Sequence, residues 1–308
     1  MGGVAGIVAP VFAIIALGAA ARQWRLMDAA GLRGITDLTF YVGLPALLFS
    51  SVVEAQSFSL LDVAVLYFAM CLVVFFLGIV LARRLLGAGL AQAAMVGLNS
   101  CFGNTGMLAL PLIAAAFGAD GVAVLLPIIA LHSLLLLPIA TMLIEADGRG
   151  TAYPWRILGA VVPSLVRNPI LVAIAAAFAW RMLGIPVPVP LHRLLAMLAG
   201  AAPTMALFAL GGTLPGMAAR GNLRETGLAT TLKLVVLPSL VWAAAHWAGL
   251  SPLQTAVAVI TAGTPTGANA FFLARRTQVS TESSAGTVVA ATALSVVTLT
   301  VLLRLLGH

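Results

Sequence analysis

Two apolar stretches carry polar residues where a membrane helix has little use for them. The first reads Asn99-Ser100-Cys101-Phe102-Gly103-Asn104-Thr105-Gly106, with Pro111 shortly after. The second reads Thr261-Ala262-Gly263-Thr264-Pro265-Thr266-Gly267-Ala268-Asn269. Gly and Pro weaken or break a helix and free backbone N–H and C=O groups. Gly106 and Pro111 in the first stretch, and Gly263 and Gly267 in the second, are the candidate helix breakers. In hydrocarbon such freed groups need partners, so broken backbone is tolerated only inside protein or beside a wet cavity. Two half-helices ending at mid-membrane place partial positive charge at one point and partial negative charge at another. An anion then fits on the N-terminal ends. Gly103, Asn104 and Thr105 on one side, and Thr264, Pro265, Thr266 and Asn269 on the other, are the candidate binding residues. Asn and Thr bring neutral donors and acceptors without the cost of a buried charge. The competing reading is a pair of kinked helices with polar residues packed between them. Corresponding breaks in both halves of the chain favour the binding site.

Other single residues leave alternatives open. Lys233 is the basic residue that falls well inside an apolar span, either as a counter-charge to an anion or as a side chain snorkelling to the interface. His132, among Leu and Pro, reads as a satisfied buried imidazole before it reads as a proton relay. Asp37 and Asp62 lie near span ends, where water solvates them. No Gly-x-x-x-x-Gly-Lys-Ser/Thr, His-Glu-x-x-His or Gly-x-Ser-x-Gly occurs, and the histidines and cysteines show no metal-ligand spacing. The expectation is no enzyme, no metal and no cofactor. With no acidic cluster inside the spans, a dedicated Na⁺ or H⁺ site is not visible. A uniporter, and a carrier holding Na⁺ on backbone and hydroxyl oxygens, both stay open.

The elements that position these residues follow from composition. Of 308 residues, 62% are hydrophobic and 8% charged, with mean hydropathy +1.12. Soluble domains carry about 25% charged residues, so a water-soluble enzyme, a disordered chain and a small disulfide scaffold are all excluded. What remains is an all-α polytopic membrane protein. A span takes about 20 apolar residues, and ten candidates appear: 4–21, 35–53, 61–82, 91–117, 121–144, 168–185, 192–214, 226–248, 253–274 and 285–306. The segment Glu145–Tyr153 is the least apolar linker, and residues 155–166 after it read as an interfacial helix.

Charge sets the orientation. The net charge of +7 is not gathered in a stripe with interleaved aromatics, so nucleic acid is not expected. With the N-terminus outside, Arg22, Arg25, Arg33, Arg83, Arg84, Arg149, Arg156, Arg167, Arg220, Arg224, Arg275 and Arg276 fall inside, against Arg181, Arg193 and Arg304 outside. That asymmetry places both termini outside. The first charge follows the first apolar stretch, the wrong polarity for a cleaved signal peptide.

The halves also match each other. Pro10 aligns with Pro169, Pro45 with Pro203, Gln92 with Gln254, and Thr105-Gly106 with Thr266-Gly267, at offsets between 158 and 162 residues. Five spans is odd, so a second copy runs upside down relative to the first. Repeat one is 1–147 and repeat two 153–308, within a single transport domain over 1–308. Inverted repeats of this kind mark secondary transporters.

Asn104-Thr105-x-Met107-x-x-x-Pro111-Leu112-Ile113, followed by Phe117-Gly118, resembles the fourth-helix segment of the auxin efflux carrier family. Arg167-Asn168-Pro169 resembles the motif that opens its second repeat. Pro265-x-Gly267-x-x-x-Phe271-x-x-Ala274-Arg275 resembles its ninth-helix crossover, and Lys233 with Pro238 its eighth helix. The resemblance implies ten helices in two inverted repeats, related in architecture to bile-acid/sodium symporters, with helices four and nine crossing at the substrate. It implies that Asn104 and Asn168 contact a substrate carboxylate and that Pro111 and Pro265 shape the broken helices. Gly103 stands where plant members place a proline, Ile170-Leu171 follow Asn168-Pro169, and the central linker is short. These departures point to a compact, malonate-carrier-like bacterial member in the cytoplasmic (inner) membrane rather than to an auxin exporter.

The expected function is alternating-access transport of a small organic anion, a mono- or dicarboxylate, bound at the crossover of spans four and nine. By analogy, spans 1, 2, 6 and 7 form one rigid unit and spans 3–5 and 8–10 the other. The expected partners are that anion and the lipid bilayer, with a homodimer left open. The alternative is a membrane-embedded sensor that binds the ligand without flux.

Overall fold

The structure is a computed structural model and describes residues 2–54, 62–149, 168–217 and 221–306. The interfacial helix expected at 155–166, with Arg156 and Arg167, and also Arg220, lies outside the described residues. The described chain is helical: α1 (Gly2–Gln23), α2 (Ala29–Leu38), α3 (Leu44–Glu54), α4 (Asp62–Leu86), α5 (Leu90–Cys101), α6 (Leu110–Ile144), α7 (Pro169–Leu183), α8 (Val189–Thr213), α9 (Leu223–Thr231), α10 (Leu237–Trp247), α11 (Pro252–Ala262), α12 (Ala268–Thr277) and α13 (Thr281–Leu305). Among the described residues, seven stretches are long and apolar enough to cross a membrane. The expected spans four and nine are each broken into pieces, α5 and α11 having only 12 and 11 residues. The second half of span four runs on with span five as Thr105–Asp147, interrupted at Gly118 (φ 62°). The expected linker after residue 144 is still helical over Glu145–Arg149, as a π turn.

Three π turns share one cause. Thr39–Gly43, Thr105–Ala109 and Leu232–Val236 each end two residues before a proline: Pro45, Pro111 and Pro238. Proline lacks an N–H and its ring crowds the carbonyl four residues back. The helix widens instead of stopping. Leu44 N–H reaches Thr39 O, and Leu237 N–H reaches Leu232 O, five residues back in each case.

The chain groups into two compact units. The first comprises residues 1–60, 106–130 and 160–216. In it α1 packs on α8, and α3 packs on α7 and α8. Small residues permit the α1–α8 approach: a Cβ on Gly211 would overlap the Ile15 carbonyl, and one on Gly18 the Phe208 carbonyl. Gly211→Ala is therefore expected to cost about 1–3 kcal/mol, read as a lower melting temperature. Gly200→Ala on the same helix, where a Cβ meets nothing within 4 Å, is the control and should melt like the wild type.

The second unit comprises 61–105, 131–159 and 217–308. Here α4 packs on α5 and α10, α9 on α5 and α13, and α11 on α10 and α13. The grouping differs from the expected one at a single place. Residues 106–130, the second half of span four and the start of span five, belong to the first unit. The chain leaves regular helix at 102–104, just before the first boundary at Thr105, whereas the boundary after Ala130 falls inside α6.

Candidate functional site

The two polar stretches meet inside the second unit. Helix α5 ends at Cys101, and Phe102, Gly103 and Asn104 are non-helical before the helix resumes at Thr105. Helix α11 ends at Ala262 with Gly263 as its C-cap, and α12 starts at Ala268 with Gly267 as its N-cap. The exposed ends pair with each other. Asn104 N–H donates to Pro265 O at 2.8 Å, and Gly267 N–H donates to Phe102 O at 3.0 Å. Gly103 and Thr266 thus face each other as one antiparallel bridge. Backbone groups that each break orphans are satisfied by the other break.

The break in the first stretch falls upstream of Gly106 and Pro111. Both lie in resumed helix: Gly106 inside the π turn, and Pro111 two residues beyond it, where the widened turn accommodates the proline ring. The interruption comes from the strand-like pairing of 102–104, not from these two residues.

Several side chains serve the crossover as scaffolding. Thr266 Oγ1 donates to Asn99 O and Thr264 Oγ1 to Thr261 O, both at 2.7 Å. Both threonines are fully buried, and their protons go to helix-end carbonyls. His132 Nε2 accepts from Gly103 N–H at 2.9 Å, and its ring lies 4.6 Å from that of Phe102. The imidazole is therefore only half satisfied, since His132 Nδ1 is buried without a partner. Asn99 Nδ2 donates to Ser284 Oγ at 2.8 Å.

Lys233 does not snorkel. It is fully buried, and Nζ donates to Ala262 O, the last residue of α11. It sits in the π turn that Pro238 induces. A built Cβ on Gly103 would stand 3.5 Å from Nζ and 3.0 Å from Thr264 Oγ1, so the ammonium lies beside the bridge. A cation on a helix C-terminus offsets the negative end of its dipole.

Asn104 and Thr105 are buried at the crossover. Asn269 is exposed in the first turn of α12, whose N-cap, Gly267, offers no side-chain hydrogen bond. Gly267 itself therefore supplies no side-chain acceptor to the N-terminus of α12. Asn168 belongs to the first unit and N-caps α7, its Oδ1 accepting from Ile170 N–H at 3.0 Å, with Pro169 at the first helical position.

Sequence reasoning missed Glu225. It lies one residue before the expected eighth span, yet it is buried in the first turn of α9. The signal available was Asn222, three residues before an acidic residue, a helix-start pattern that moves the helix N-terminus upstream.

Comparison with known proteins agrees with this architecture. Residues 4–303 match the family described as membrane transport protein. A protein of Rhizobium meliloti (strain 1021), named "Putative malonate transporter", is 29% identical over 99% of this chain and 97% of its own length. With almost the whole chain matched, and with apolar helices and paired broken segments in place, the chain belongs to the membrane transport protein family, the auxin efflux carrier family, and is an integral membrane transporter.

Proposed function

We propose that this chain is a carrier of a small carboxylate, bound at the crossover and moved by alternating access. The observation that carries the reading is the reciprocal pairing of 102–104 with 265–267, with Lys233 on the end of α11. Lys233 offsets one negative helix end, while the N-terminus of α12, whose N-cap Gly267 has no side chain to cap it, keeps its positive one. The balance at the crossover favours an anion. Asn104 and Thr105, with the first N–H groups of α12 and Asn269, are the contacts we assign to the carboxylate. Gly103, Pro265 and Gly267 shape the backbone, Gly263 ends α11, and Thr264 and Thr266 hold the helix ends. The name of the Rhizobium relative makes malonate the first substrate to test. Ten spans in two inverted repeats, both termini outside and a bacterial inner membrane complete the proposal.

The test is thermal stability of the purified protein across a panel of organic anions, with Asn104→Ala in parallel. A ligand at about 100 times its dissociation constant adds about 2.7 kcal/mol. We expect stabilisation by malonate or another short carboxylate, lost in the variant. No shift with any anion in well-folded protein would overturn the carboxylate assignment. Counterflow of labelled malonate in proteoliposomes then separates a carrier from a sensor, which binds without flux.

A further inference from the structure

One buried charge takes no part in the crossover. Glu225 is 3% exposed, at the third residue of α9, where that helix packs against α5, α13 and α4. Its Oε1 accepts from Gln92 Nε2 of α5 at 2.7 Å. Its Oε2 is buried and has no hydrogen-bond partner. Further along the same helix, Thr230 Oγ1 is also buried and unpartnered.

The charged groups on the surrounding elements do not compensate it. Arg224 on its own helix, Glu282 at the start of α13, and Arg83 and Arg84 at the end of α4 are all exposed. Asp147, also exposed, accepts from Ala91 N–H at 3.2 Å beside Gln92. Lys233 is committed to Ala262 O. Glu225 therefore has one amide donor and no counter-charge. A buried carboxylate oxygen with neither a donor nor a counter-charge is an open ligand position for a cation. Ionisable groups held inside membrane proteins in this way mark ion pathways.

We infer that Glu225 Oε2 is the seat of a coupling cation, a proton or Na⁺, whose arrival and departure are linked to carboxylate transport. The inference rests on the carrier reading above. Cation binding cancels the one uncompensated buried charge of α9, which continues through the π turn to Lys233 at the crossover. The ion's occupancy and the state of the crossover thus share one structural element.

The experiment uses full-length protein, wild type and Glu225→Gln, in proteoliposomes with labelled malonate. Uptake is compared with no gradient, with an inward Na⁺ gradient at equal pH, and with an inward proton gradient without Na⁺. One gradient should stimulate the wild type by about fivefold or more, the low end of coupling between two ligands, and leave Glu225→Gln unstimulated. The arm that responds names the cation. A second variant, Glu225→Asp, keeps a carboxylate and should retain stimulation at higher cation concentration. In parallel, melting temperature is followed against NaCl (choline replacing Na⁺) and against pH, without substrate. Wild type should respond to one of them and Glu225→Gln should not.

Wild-type counterflow with no response to either gradient and a flat melting temperature would overturn the inference. So would a response unchanged in Glu225→Gln. Absent counterflow, with a cation-dependent melting temperature lost in Glu225→Gln, would leave the cation site standing and remove the carrier reading instead.

Discussion

Gly267→Ala is expected to abolish carboxylate binding and transport. A Cβ at this position would stand 2.9 Å from Gly103 O and 3.1 Å from the Phe102 ring. Neither neighbour yields easily. The first is backbone in the bridge, and the second is a ring packed against His132. The segments must part, and the bond from Gly267 N–H to Phe102 O goes with them. Overpacking of this kind costs about 1–3 kcal/mol, and loss of the bridge moves every group we assign to the anion. The measurement is malonate-dependent stabilisation together with counterflow. Gly106→Ala is the matched control in the first stretch, because a Cβ there meets nothing within 4 Å. Equal activity of Gly267→Ala and Gly106→Ala would show that the close approach at 267 is not needed for transport.

Lys233→Met is expected to lose both stability and anion affinity. Met fills much of the same space but leaves Ala262 O without its donor in a fully buried setting. An unpaired buried acceptor costs about 1–3 kcal/mol. The variant also restores the full negative end of the α11 dipole beside the bridge. Charge at a helix terminus is worth up to about 2 kcal/mol when partly buried, so malonate affinity should fall by about tenfold or more. Melting temperature and dissociation constant are measured on the same preparation. A lower melting temperature with unchanged affinity would make Lys233 purely structural. No change in either would contradict the geometry.

Much of the fold was legible because the bilayer is an undemanding reader. A run of apolar residues long enough to cross it is a local property, and the described residues hold seven helical stretches of that kind. The two interruptions were legible for the same reason, since Gly, Pro, Asn and Thr in an apolar run stand out. Their causes were not. Pro111 looks like a breaker in sequence, yet the helix accommodates it by widening, as at Pro45 and Pro238. Thr264 and Thr266 look like ligand donors, yet their protons are taken by Thr261 O and Asn99 O. Glu225 looks like a loop residue, yet the packing of α9 on its neighbours removes it from water.

By itself, then, the sequence determined the membrane class, the helical segments, the two broken stretches and the family to which they belong, because each depends on composition and near-neighbour pattern. Only the tertiary structure decided which groups meet. Phe102 and Asn104 find Gly267 and Pro265. His132 finds Gly103, and Lys233 finds Ala262. Gln92 finds Glu225 and leaves its second oxygen unmet. A backbone N–H or C=O is chemically the same at almost every residue, so its partner is set by how the helices pack and not by local spelling. Burial of a charge is likewise a property of the surrounding elements. That is why Lys233 was undecided and Glu225 unseen until those elements were in place.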